Sequence, residues 1–168
     1  GPTHQPVETI PSLRAMPNML VLRPGDGNET SGAYKIAIKN RNRPSVLCLS
    51  RQGMPNQENT SIDKVALGGY IVSDCEGTPD VIFIGTGSEL NLCMEASKEI
   101  SSLGKKTRVV SMPCVELFEE QEKSYKESVL PSNVKKRVVV EAAHSFGWHK
   151  YVGLDGACIT MDRFGASA

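Results

Sequence analysis

Short apolar runs alternate with amphipathic stretches along most of the chain. "NMLVLRP" (18–24) is an apolar run closed by proline, the pattern of a buried strand. "DGNETSGAYKIAIKN" (26–40) follows it as a helix: Ala33, Ile36 and Ala37 share one face, Asn28 can cap the amino end, and Glu29 suits the first turn. "RPSVLCLSR" (43–51) predicts a second strand that closes at Ser50 and Arg51, while "IPSLRAM" (10–16) predicts a short helix broken by Pro17. The pattern then lapses. Residues 53–64, "GMPNQENTSIDK", are polar, rich in turn formers and without apolar periodicity, and read as a linker.

Beyond the linker the order resumes. "GGYIVSD" is a short strand, and "DVIFIGTGSELNLCMEASKEISSLGKKTRVVSM" reads as strand, glycine turn, helix, stop at Gly104 and strand, which is a βαβ unit. A helix around "EEQEKSYKESVL", a strand at "KRVVVEA" and a last apolar run at "ACITMD" bring the count to at least four potential parallel strands. Strands that alternate with helices specify an α/β fold with mostly parallel sheets and helices on both faces. The expected division is 1–52, a linker at 53–64, and 65–168.

Composition narrows the partners. Nineteen basic and nineteen acidic residues cancel, so no global field favours nucleic acid or an anionic membrane. No apolar run is long enough to span a bilayer, and no secretory signal stands at the amino end. Five cysteines, odd in number and widely spaced, read as reduced core residues, and the triplets at Asn28 and Asn59 carry no weight as glycosylation sites without a signal.

Local motifs give little chemistry. "GTGSEL" (85–90) follows a strand and opens a helix, as an anion-binding turn would. A dinucleotide fingerprint, however, needs a small residue where Leu90 stands and an acid where "SMPC" ends the next strand, so a plain strand-to-helix turn is favoured. His144 and His149 lack a third ligand nearby, and no cysteine spacing suits zinc. Arg51 differs in kind. It ends an apolar strand, where α/β proteins place ligands, and its planar fork suits a phosphate or carboxylate; a salt bridge at the domain boundary is the equally weighted alternative.

A dozen separated segments, among them "GPTHQPVET", "LRAMPNMLVLRPGDGNE", "LSRQGMP", "GGYIVSD", "IGTGSEL", "FGW" and "DRFGASA", resemble in order and register the transketolases of plants, yeast and bacteria. The resemblance covers the whole chain. It implies that 1–52 is the end of a pyrimidine-binding domain and 65–168 a transketolase C-terminal domain, incomplete at its end. It implies transfer of a two-carbon ketol unit from a ketose phosphate to an aldose phosphate, with thiamine diphosphate and Mg²⁺ (or Ca²⁺) as cofactors. A homodimer, roles in the pentose phosphate pathway and Calvin cycle, and a cytoplasmic location with the plastid stroma as alternative go with it. By resemblance His4, in a turn stiffened by Pro2 and Pro6, is a catalytic and substrate-binding residue near the reacting carbons, and Arg51 in "LSRQ" binds the sugar phosphate. An aspartate that reads donor hydroxyls, the glutamate that activates the aminopyrimidine and the cation and diphosphate site are expected outside this sequence, so the fragment alone is expected to be inactive and to bind neither cofactor. A related thiamine enzyme such as 1-deoxyxylulose-5-phosphate synthase, or a non-catalytic dimerisation and stability module, are the alternatives. Limited proteolysis is expected to cut first within 53–64; cleavage mainly inside "DVIFIGTGS" would place the boundary elsewhere.

Overall fold

The computed structural model describes residues 4–166; Pro2 and the last two residues of "DRFGASA" lie outside this range. The amino-terminal unit begins with helix α1 (Thr9–Arg14), followed by strand β1 (Leu20–Leu22), helix α2 (Gly27–Lys39) and strand β2 (Ser45–Leu47). β1 and β2 pair in parallel, with Val21 opposite Val46. The cap of α2 is Asp26 and not Asn28: Asp26 Oδ1 accepts the Glu29 N–H at 2.9 Å, while Asn28 is already inside the first turn and turns its amide to Thr60. β2 is shorter than its apolar run. It ends at Leu47, so Arg51 stands four residues beyond the strand, in a bend.

The larger unit holds β3 (Tyr70–Ser73), β4 (Val81–Gly85), α3 (Glu89–Ser102), β5 (Thr107–Ser111), α4 (Val115–Glu119), α5 (Lys123–Val129), β6 (Arg137–Val140), α6 (His149–Val152) and β7 (Ala157–Ile159). Its sheet runs β3-β5-β4-β6-β7; the last four strands are parallel, and β3 lies antiparallel against β5. The helix expected over 119–130 is α5, shorter at its amino end, and α4 before it was not anticipated.

Alternation along the strands divides the core in two. Ile82, Ile84, Val110, Met112 and Val139 face Phe118, Val129, Trp148 and Tyr151 on one side of the sheet. Phe83, Val109, Tyr70 and Val72 face Leu90 and Cys93 of α3 on the other. The direction of the chain follows from this. The β4–α3–β5 connection steps one way along the sheet and the β6–α6–β7 connection the other, so the strand order reverses between β4 and β6. At such a switch point the loops at the carboxyl ends diverge and leave a crevice.

The two units share a third cluster, in which Leu20, Leu22 and Ala33 pack with Val65 and Cys114. Residues 53–64 contain no strand, and a 3₁₀ turn (Lys64–Leu67) begins at the last of them. The segment is tied down at several points: Asp26 Oδ2 accepts from Gln57 N–H at 2.9 Å and from the Thr60 hydroxyl at 2.6 Å, and the Asn59 amide donates to the Val72 carbonyl. At Gly68, φ is +77° and a Cβ would lie 2.1 Å from the Phe118 nitrogen, so only glycine lets the chain turn there against α4. Among the described residues no helix is long and apolar enough to cross a membrane.

Candidate functional site

The crevice between β4 and β6 is filled from within the protein. Arg23, on leaving β1, drives its guanidinium into it: Nη1 donates to the Thr86 carbonyl at 2.6 Å, lies 2.6 Å from Glu89 Oε2 and stands 3.7 Å from Glu141 Oε1. Gly87, at φ +60°, makes room, because a Cβ there would stand 2.7 Å from the guanidinium carbon. The "GTGSEL" turn therefore wraps an internal cation. Glu89 does not cap its helix; its Oε2 accepts the Ala142 N–H at 3.0 Å, and so it joins the ends of β4 and β6.

Arg14, at the end of α1, meets the same cluster from the other side. Its two terminal nitrogens donate to Glu141 Oε2 and Oε1, each at 2.8 Å, and the guanidinium lies 5.1 Å from the Trp148 ring centroid. Trp148 Nε1 adds a bond to Glu141 at 2.6 Å. Burial lowers the Arg14 pKa, but the hydrogen bonds and charge of Glu141 outweigh it, and the net shift is upward. The sequence reading missed this group of Arg14, Arg23, Glu89, Glu141 and Trp148. The signal was present: Arg23 in "LVLRP" and Glu141 in "VVVEA" each follow an apolar strand, the same placement that singled out Arg51.

His4 is exposed, at the start of the described chain. Three residues on, the Val7 carbonyl accepts the His144 N–H at 2.8 Å, which brings this end of the chain to the carboxyl end of β6. Arg51 is exposed and, among the described residues, makes no ion pair, so the boundary salt bridge is not formed. Its neighbours Ser50 and Gln52 line a cavity of about 320 Å³ with Gly25, Asp26, Gly27 and Thr30, at the carboxyl ends of β1 and β2. Val7 and Arg51 thus both lie beyond the carboxyl ends of parallel strands, β6 and β2 respectively.

The remaining candidates fall into structural roles. His144 Nδ1 accepts the Phe146 N–H at 3.1 Å, and its Nε2 stands 3.8 Å from Asp162. No group of three or more His, Cys, Asp or Glu able to hold a metal occurs among the described residues. All five cysteines are free thiols. Burial pushes Cys93 up to about 12 and Cys114 higher still, which leaves both protonated and unreactive.

Fold and site together define an α/β protein whose parallel strands direct their carboxyl ends toward one edge, with two units locked there by buried ion pairs. Residues 1–57 match the family model described as "Transketolase, pyrimidine binding domain", and residues 68–168 match "Transketolase-like TK C-terminal domain". The chain belongs to the transketolase family. A transketolase of Nostoc is 61% identical over 100% of this chain and 25% of its own length; a chloroplastic transketolase of Solanum tuberosum is 57% identical over 100% and 23%. The solved transketolase of Leishmania mexicana superposes with a TM-score of 0.94 at 48% identity, over 100% of this chain and 24% of that one. A Pichia stipitis transketolase described as a complex with sedoheptulose 7-phosphate gives 0.92 at 45%, over 99% and 24%. The chain therefore spans about a quarter of the relatives it matches. These matches bear the name transketolase and not that of 1-deoxyxylulose-5-phosphate synthase.

Replacement of Arg23 tests the ionic lock. Arg23→Met leaves Glu89 and Glu141 facing each other in a buried crevice, and unfolding in urea is expected to show a loss of about 3–5 kcal/mol. A loss under about 1 kcal/mol would mean that water enters and that the arginine is dispensable.

Proposed function

We propose that this chain is part of a thiamine diphosphate enzyme that transfers a two-carbon ketol unit from a ketose phosphate to an aldose phosphate. The similarity to transketolases over the entire chain supports this reading most directly. The sugar phosphate bound in the Pichia stipitis relative supports the substrate class. The cofactor supplies the electron sink for carbon–carbon cleavage. The described residues bring no set of cation ligands together, so no step assigned to this chain runs through the cation or the diphosphate. The working form in this reading is a homodimer with a divalent cation, Mg²⁺ or Ca²⁺. The chloroplastic relative favours the plastid stroma over the cytoplasm as its compartment.

Two side chains of this chain carry distinct tasks. Arg51 presents a planar fork, uncommitted to any carboxylate among the described residues, beside a cavity at the strand ends. A sugar phosphate can accept two parallel charge-assisted hydrogen bonds from that fork, which fixes the far end of the substrate. His4 acts at the near end. Its imidazole exchanges hydrogen bonds and a proton with sugar hydroxyl oxygens whose charge changes as the bond breaks. Residues 1–52 supply both groups, residues 53–64 join the units, and residues 65–168 form the domain on which the first is seated.

Kinetics of the full-length enzyme separate the two tasks. Arg51→Lys keeps the charge and loses the fork, and is expected to weaken phosphorylated donors by about 1.5–3 kcal/mol, seen as a KM raised about tenfold to a hundredfold with kcat changed less. With hydroxypyruvate, which has no phosphate, the same variant should be nearly silent. Equal damage with both donors would make Arg51 structural. His4→Ala should act chiefly on kcat with either donor, and an unchanged kcat would remove the histidine from the reaction.

A further inference from the structure

Helix α1 is only six residues long, and its amino end has no side-chain cap. A helix of that length has no stability of its own, so its position is fixed by whatever grips its ends. At the amino end Val7 is buried, and its carbonyl accepts the His144 N–H at 2.8 Å. At the carboxyl end Arg14 forks onto Glu141, which also receives the Trp148 indole N–H. Both grips come from one stretch of the larger unit, residues 141–148, directly after β6. A third contact lies beside them: Gly165 approaches Gln5 so closely that a Cβ would stand 2.7 Å from its side-chain oxygen. His4 is the residue next to Gln5.

We infer that Arg14 and Glu141 are positioning residues for His4, through which the larger unit sets the place of the imidazole. The inference rests on the reading of His4 as a group that acts at the reacting carbons. Its physical basis is the steep dependence of proton transfer and hydrogen bonding on distance, by which a shift of about 1 Å costs on the order of a hundredfold in rate. The Arg14–Glu141 fork is suited to hold such a tolerance, because two parallel bonds fix both separation and rotation, and the Trp148 ring packs against the guanidinium plane. The reach from Arg14 to His4 is one turn and a half of helix plus a segment pinned at Val7, so a movement at one end is delivered to the other. The larger unit thereby has a task in the reaction although it holds neither Arg51 nor His4.

A double-mutant cycle in the full-length holoenzyme tests this. Arg14→Lys keeps a cation beside Glu141 and removes the fork. It is expected to lower kcat about tenfold while KM for a phosphorylated donor stays within about twofold, and to cost less than about twofold when added to His4→Ala. Hydrogen exchange at the His144 amide should quicken by about tenfold in the same variant, a readout independent of turnover. Trp148→Phe removes one hydrogen bond to Glu141 and keeps the ring, and should lower kcat about threefold with the same dependence on His4. It decides the matter by the same criterion if Arg14→Lys fails to assemble. An equal loss in the His4 and His4→Ala backgrounds overturns the positioning role, as does a normal kcat with unchanged exchange. A silent His4→Ala overturns the reading of His4 itself and the positioning role with it, and is told apart because the failed coupling requires a damaged His4→Ala.

Discussion

Two arginines and two glutamates are buried together where the strand order reverses, and the arrangement of both units depends on their neutralising one another. Each charge taken alone would cost several kcal/mol to remove from water. Here every one has a partner. Glu141 is covered by Arg14, Arg23 and Trp148, and Glu89 by Arg23 and the Ala142 N–H. The attraction is non-directional but the Arg14 fork is not, so the cluster is less a source of net stability than a constraint on geometry. It allows one docking of β1 against the ends of β4 and β6. The unusual feature is its location. The crevice that α/β proteins commonly leave open for a ligand is closed in this unit by a side chain of the neighbouring one.

A third buried glutamate extends the constraint along the same carboxyl edge to β3 and β5. Glu29, in the first turn of α2, accepts from Gly25 N–H at 2.7 Å, the Tyr70 hydroxyl at 2.6 Å and the Ser111 hydroxyl at 2.5 Å. Burial raises its pKa, and the bonds from Ser111, Tyr70 and Gly25 offset only part of that. Because Tyr70 and Ser111 belong to β3 and β5, α2 starts at a fixed height above the larger sheet. Asp26 completes the seating by capping α2 and holding Gln57 and Thr60, so the polar stretch 53–64 is shaped by one carboxylate on the unit it leaves.

The sequence disclosed the periodic parts of this protein well and its ionic parts badly, for a physical reason. Strands β4, β5 and β6 are apolar runs bounded by turn residues, and α3 runs from a glycine turn to a stop near Gly104, so punctuation suffices to find them, although the buried face of α3 is Leu90 and Cys93 while Leu92 and Leu103 are exposed. β2 came out long because its apolar run outlasts its partner: the Cys48 N–H still donates to the Leu22 carbonyl at 2.8 Å, but β1 ends at Leu22 and nothing continues the ladder past Leu47. The cap of α2 fell on Asn28 because Asp26 and Asn28 are equally good capping residues; in the fold the helix starts at Gly27 and Asp26 takes the Glu29 N–H, while its other oxygen holds Gln57 and Thr60. Arg14 and Glu141 are 127 residues apart, and nothing local marks them as a pair. Long-range ion pairs have no period, so a single chain read alone shows their members and not their partnership.

That distinction also bears on which arginine is free to meet a substrate. Arg14 and Arg23 both stand near strand or helix ends, as Arg51 does, yet Nη1 and Nη2 of Arg14 are spent on Glu141, and Nη1 of Arg23 on Glu89 and the Thr86 carbonyl; Arg14 Nε is buried without a hydrogen-bond partner. Arg108 is likewise committed to Asp74 and to the carbonyls of Ser128 and Val129, and Arg137 to four backbone carbonyls. Arg41 is exposed but lies in the loop before β2, at the end of the strand pair away from the carboxyl edge. Position and commitment therefore have to be judged together. A guanidinium at the carboxyl edge paired with buried carboxylates is part of the frame, whereas Arg51, beside the cavity lined by Ser50 and Gln52, and Arg163, beyond β7, make no ion pair among the described residues. The frame built by Arg14 and Arg23 is what keeps that edge in one place, and with it the proposed role of Arg51.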